Sequence, residues 1–159
     1  MAIAPPSRLQ ATQIFDAHVE ALGDNKKPLR SRQRVRVHIG TAEVLARLVV
    51  FEPDGEIPPG GSGFVQVRLE DPVAGLMNQR FVIRSYSPQA TIAGGEVLLP
   101  HAQKLKRAGH ASHRAFLINL MNAREEPATV VAFLVGLAGE EGMDRMTLGH
   151  QTGWREDVL

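Results

Sequence analysis

Apolar and polar residues alternate through most of the stretch from Leu9 to Pro100. Between Thr12 and Leu22, Phe15, Ala17, Val19 and Ala21 fall on one face, and Asp16, His18 and Glu20 on the other. A period of two predicts a half-buried strand. Gly23-Asp24-Asn25 supplies turn chemistry. A second strand follows, with Val35, Val37 and Ile39 inward and Arg34, Arg36 and His38 outward. Gly40-Thr41 breaks it. A third runs from Ala42 to Phe51, with Val44, Ala46, Leu48 and Val50 on one face. A Pro- and Gly-dense loop from Pro53 to Gly63 leads to Val65, Val67 and Leu69, which alternate with Gln66, Arg68 and Glu70. The β-branched and aromatic run Phe81–Tyr86 is a fifth strand, and Thr91–Leu98 a sixth. Gly94-Gly95 inside the last predicts a bulge or a close backbone approach. Short strands joined by turns, with no helical period, imply an antiparallel barrel or sandwich with Val35, Val37, Val65, Val67, Phe81 and Ile83 in its core.

The pattern changes near Pro100. His101–His113 is polar and basic and reads as a linker. Phe116, Leu117, Leu120 and Met121 then recur at helical spacing. Pro127 suits the first turn of a second helix, whose Val130, Val131, Leu134 and Leu137 line one side and which Gly142 ends. Met146–Leu159 has the outline of a helix, a turn at Gly153 and the start of another helix. The expected organisation is a flexible lead-in over 1–10, a barrel over 11–100, a linker over 101–113 and a helical segment over 114–159.

Composition narrows the chemistry. The chain has 159 residues and no cysteine, which removes disulfides, thiolate zinc sites and cysteine nucleophiles. No apolar run is long enough to span a bilayer. The first residues lack the basic and apolar regions of a secretory signal. The expectation is a cytoplasmic protein with no membrane partner. A formal net charge of +1 hides an uneven distribution. Lys26, Lys27, Arg30, Arg32, Arg34 and Arg36 follow one another with no acid among them, and His38 continues the row. If Arg32, Arg34, Arg36 and His38 share a strand face, cationic or titratable groups recur about every 6.6 Å. That repeat approaches the phosphate spacing of a nucleic-acid strand, so the row is suited to backbone contact. The competing reading is a solvated face whose arginines pair with acids on neighbouring strands, such as Glu43, Glu70 or Asp71.

Nothing in the sequence has the form of a catalytic centre. His101, His110 and His113 cluster around the linker, but none has the helical spacing and neighbouring glutamate of a metal site. Glu125-Glu126 and Glu140-Glu141 read as solvated helix ends. Ser85 and Ser87 lack a nucleophile-elbow setting. Gly60-Gly61-Ser62-Gly63 lacks the lysine and the strand-to-helix context of a phosphate loop. Catalytic and metal-ligating residues are therefore expected to be absent.

Three segments carry a resemblance. Arg32–Val44 (RQRVRVHIGTAEV), Val65–Val73 (VQVRLEDPV), and Arg80–Pro88 (RFVIRSYSP) with Thr91–Leu98 (TIAGGEVL) look, in order and spacing, like the third domain of the selenocysteine-specific elongation factors. The resemblance covers most of Leu9–Pro100. It implies a six-stranded antiparallel barrel like the C-terminal barrel of elongation factor Tu, followed by the start of a winged-helix region. It also implies a parent that binds GTP and Mg, delivers selenocysteinyl-tRNA to the ribosome, and grips a selenocysteine-insertion hairpin in messenger RNA through terminal winged helices. This chain is expected to be a non-catalytic part that holds no cofactor and docks on the parent's other domains. In related factors the third domain meets the tRNA T-stem backbone. The resemblance puts His38, Gly40, Thr41, Arg84 and Ser85 near that contact and selects the same face as the charge row, so the expected RNA-facing set is Arg32, Arg34, Arg36, His38, Gly40, Thr41, Arg84 and Ser85. It departs from elongation factor Tu at Gly40, where a basic residue is expected, so Arg34 or Arg36 would supply that contact. A purely structural spacer between domains is the alternative.

Overall fold

A computed structural model describes residues 11–139 and Thr152. Its strands are β1 (Ala11–Ala21), β2 (Leu29–Arg30), β3 (Arg34–Ile39), β4 (Ala42–Val50), β5 (Glu56–Ile57), β6 (Ser62–Ala74), β7 (Arg80–Ser85) and β8 (Thr91–Leu99). Six of them close an antiparallel barrel in the order β1-β6-β4-β3-β7-β8, and β8 returns to β1. Closure leaves none of these six strands as a sheet edge. β2 and β5 form a separate two-stranded ribbon whose Leu29 and Ile57 join the barrel core.

The inward residues are those that the alternation selects. Val35, Val37, Val65, Val67 and Ile83 are fully buried and Phe81 nearly so. Phe15 meets Phe81 edge-on at 5.1 Å. The β3–β4 hairpin turns on Gly40-Thr41, with Gly40 at φ 58, as so tight a turn requires. Gly95 explains its place in β8 by contact. A Cβ there would stand 2.6 Å from the Phe81 ring, 2.8 Å from Val19 and 2.9 Å from the His18 carbonyl oxygen.

The second face of β1 departs from expectation. Asp16 is fully buried, and β6 is buried on both sides from Gly63 to Val67. The cover is helical. A 3-10 turn (Arg107–Gly109) leads into α1 (His110–Asn122), and α2 (Pro127–Ala138) follows. Leu117, Leu120, Val130 and Leu134 pack with Phe51, Phe64, Leu98 and Leu99 from the outer wall of the barrel in a second core. α1 thus begins at His110, inside the stretch expected to be linker. The polar residues that disguise its start are used in docking: His110 meets Phe51 at 5.0 Å, and His113 Nε2 lies 2.6 Å from Asp16 Oδ2. Pro127 opens α2 as expected. α2 ends at Ala138, and the expected stop at Gly142 lies outside the described residues. Leu137, placed on the apolar side by spacing, is 47% exposed. The lead-in over 1–10 and the helix–turn–helix outline after Met146 also fall outside the described residues, apart from buried Thr152.

Gly95→Ala is expected to lower stability by about 1–3 kcal/mol, the usual cost of overpacking a closed core, measurable by urea unfolding. Asp16→Ala strips Gln66 and His113 of a buried partner. It is expected to cost about 1–3 kcal/mol and to speed amide exchange in α1 more than in β3, as read by hydrogen-exchange NMR.

Candidate nucleic-acid interface

On β3, burial of Val35, Val37 and Ile39 forces Arg34, Arg36 and His38 outward. Arg32 does not extend this row. It sits before the strand with φ 72, in a turn that interrupts the two-residue repeat. Its N–H donates to the Leu48 carbonyl at 2.7 Å, and its carbonyl accepts from Arg47 Nη1 at 3.0 Å. Arg32 therefore joins the basic surface beside Arg47 rather than in line with Arg34.

Strand register builds a larger cluster than one strand supplies. Arg36 stands opposite Arg84 of β7, Arg34 opposite Arg47 of β4, and Arg47 opposite Arg68 of β6. Directly opposed residues share a face, so five guanidiniums collect on one outer wall. Like charges in such pairs repel and weaken a sheet. Two acids offset part of this: Glu70 lies 3.0 Å from Arg34 and Glu43 lies 3.8 Å from Arg36. Both pairs are solvent-screened and contribute little stability. They are the cross-strand pairs that the solvated-face reading expects. Arg84 and Arg47 have no ion pair among the described residues, and Arg68 donates from Nε to Gln66 Oε1 at 3.0 Å. Tyr86, 44% exposed, places its ring 4.9 Å from the Arg34 guanidinium carbon and 5.4 Å from that of Arg36. The Nε atoms of Arg34, Arg36 and Arg84 are shielded, with no hydrogen-bond partner among the described residues.

The structure splits the expected set. Arg34, Arg36 and Arg84 come together, with Arg32 at the margin. His38, Gly40 and Thr41 lie toward the opposite end of β3, where His38 Nε2 is 3.4 Å from Glu43 without hydrogen-bond geometry. Ser85 is committed to its own loop: its hydroxyl donates to the Pro88 carbonyl and accepts from the Ala90 N–H at 3.2 Å. Arg47, Arg68 and Tyr86 are the members that sequence reasoning missed. Alternation marks Arg47 and Arg68 as outward, but only register brings them to Arg34.

Beside this wall, the helical module is clasped to the barrel. Asp16 accepts from Gln66 Nε2 at 3.0 Å and contacts His113. Arg114 donates from Nε and Nη2 to both oxygens of Glu52, at 2.7 and 3.0 Å, and that hydrogen bonding holds its guanidinium firmly protonated. Burial lowers the pKa of His18, against the opposing pull of Glu20, Glu96 and Glu52. Among the described residues no group of three or more His, Cys, Asp or Glu is placed to hold a metal ion. No described helix is long and apolar enough to cross a membrane.

Comparison with known proteins places this geometry. The sequence pattern of the selenocysteine-specific elongation factor β-barrel domain matches residues 16–104. The chain belongs to the selenocysteine-specific elongation factor family. A selenocysteine-specific elongation factor of Desulfomicrobium baculatum is 31% identical over 157 residues, a match that takes in 99% of this chain and 24% of that protein. A crystal structure of the bacterial selenocysteine-specific elongation factor EF-Sec shares the fold at TM-score 0.64 and 18% identity, covering 97% of this chain and 22% of the other. The chain thus spans about a quarter of the length of the curated relative, and within a selenocysteine-specific factor it is the barrel with its adjoining helices.

Tyr86→Ala is expected to abolish the ring-current shift of the Arg34 and Arg36 Nε–H signals in NMR spectra. Tyr86→Phe should retain it. The Ala variant should lose about 0.5–1 kcal/mol, the scale of an exposed cation–π contact.

Proposed function

We propose that the arginine wall of the barrel faces the phosphate backbone of the T stem of selenocysteinyl-tRNA. The observation that carries this reading is the succession of opposed arginines, Arg84 with Arg36 and Arg34 with Arg47 with Arg68. A protein sheet has no structural use for such repulsion, whereas a polyanion relieves it with release of counterions. Glu43 and Glu70 then serve as exchangeable partners that hold the guanidiniums in place until phosphate displaces them. His38, Gly40, Thr41 and Ser85 stand at the edges of this contact, and Arg34 and Arg36 provide the charge that Gly40 does not.

In this proposal the chain itself is non-catalytic. GTP and Mg belong to another domain of a GTPase parent, on which the barrel docks. The helical part leads toward a winged-helix arm that holds the selenocysteine-insertion hairpin of the messenger RNA at the ribosome, and the setting is the cytoplasm. A second reading, a spacer barrel without RNA contact, draws support from the Arg34–Glu70 pair and from the clasps of Asp16 with His113 and Glu52 with Arg114. Those features concern rigidity, and they leave Arg47 and Arg84 without a counter-ion among the described residues.

Fluorescence anisotropy with a tRNA transcript separates the two. The parent chain should bind at roughly micromolar to tens of micromolar Kd, with some three contacts at the wall contributing about −2 to −3 to its log–log salt slope. Arg34→Glu/Arg36→Glu should weaken binding at least tenfold, and about equally for all tRNAs, because backbone contacts position rather than specify. The fold should survive, since both side chains point outward. A folded double variant that binds as tightly as the parent would establish the spacer.

A further inference from the structure

From Val97 to Arg124 the chain contains no acidic residue. The basic residues of this stretch divide into two groups. Arg114 is bound to Glu52, and Arg124 to Glu96 at 3.1 Å. Lys104, Lys106 and Arg107 are exposed and have no ion pair among the described residues. They flank Leu105, which packs against the second core while Lys104 and Lys106 on either side of it stay exposed.

Hydrogen bonds decide where this segment runs. The Ala102 N–H donates to the Ile14 carbonyl at 3.0 Å, and Ile14 is the β1 residue paired with Arg68. The Gln103 carbonyl accepts from Gln66 Nε2 at 2.9 Å, and Gln66 Oε1 accepts from Arg68 Nε. One fully buried glutamine therefore bridges the last arginine of the wall to the backbone immediately before Lys104. The same amide also reaches Asp16 and, through it, His113 of α1. Linker and wall, distant in sequence, are fixed to each other by part-buried polar contacts.

We infer that Lys104, Lys106 and Arg107 extend the arginine wall into one continuous cationic belt, which carries an RNA backbone off the barrel and onto the base of the helical module. This rests on the RNA reading above. The wall alone spans three strand intervals, about 14 Å, and the linker prolongs it in the same direction, β7 to β3 to β4 to β6 and then to residue 104. The succession of cations, with Tyr86 as the one large exposed ring set against them among the described residues, suits a phosphate backbone better than a folded protein surface, whose contacts need a broader apolar centre.

The test uses the whole chain and a tRNA transcript, with anisotropy read at several salt concentrations. Lys104→Glu/Lys106→Glu/Arg107→Glu should weaken binding at least tenfold and reduce the magnitude of the salt slope by about 2–3. Lys104→Gln/Lys106→Gln/Arg107→Gln, which introduces no repulsion toward Asp16 or Glu52, should reduce the slope similarly with a smaller loss of affinity. It serves if the reversal disturbs α1, a condition checked by the NMR signals of Leu117 and Leu120. If both linker variants bind RNA as the parent does while Arg34→Glu/Arg36→Glu is weakened, the belt ends at the barrel and the linker charges face another partner, such as an acidic protein surface. If the Arg34/Arg36 variant is also unimpaired, the RNA reading itself fails.

Discussion

A carboxylate with no exposure to water organises this molecule. Asp16 sits on the face of β1 that alternation assigns to solvent, and burying it unpaired would be far costlier than any single packing gain in the structure. It is tolerated because Gln66 and His113 satisfy it from two other elements. β1, β6, the linker and α1 are thereby held at one point. Once that point is closed, Phe51, Phe64 and Leu98 on the outer wall become the floor of a second core, and Leu117, Leu120, Val130 and Leu134 have something to pack against. Two short helices with little stability of their own are made part of a rigid body.

The same network reaches the basic surface. Gln66 accepts from Arg68 with its oxygen while its nitrogen donates to Asp16 and to the Gln103 carbonyl. The side chain that secures the interior thus also orients the last guanidinium of the wall. At the other end of the wall, the Tyr86 ring steadies Arg34 and Arg36 at 4.9 and 5.4 Å. A closed barrel suits this task. A one-residue slip of a strand would turn its valines outward, and closure of the ladder on both sides opposes longer slips, so arginines held at fixed register stay together despite mutual repulsion. An anion that meets this wall finds its charges already assembled, and little ordering remains to oppose binding.

Much of this was legible along the chain. The buried set of Val35, Val37, Val65, Val67, Phe81 and Ile83 follows from alternation, the Gly40-Thr41 turn from its glycine, and the second helix from Pro127. Six strands without helical period, with the family resemblance, led to the closed barrel that was found. The candidate site was legible along β3, and at Arg84 of β7 only through the family resemblance. Arg34 and Arg36 were found because they share one strand. Arg32 was misplaced because a residue at positive φ interrupts the repeat. Arg47 and Arg68 were missed because their outward direction is local information and their neighbours are not.

The division has one physical cause. A strand's period of two is set by the chirality and sterics of each residue, so the sequence by itself determined which side chains point into the barrel and that Arg34 and Arg36 point out of it. Register depends on hydrogen bonds between strands distant along the chain. Only the tertiary structure decided that Arg84 faces Arg36 and that Arg34, Arg47 and Arg68 stand in succession. Burial of the second face is likewise a property of whatever packs there. His110 and His113 read as linker because the surface that accepts them, Phe51 and Asp16, lies 59 and 97 residues earlier in the chain, and only folding brings the two together.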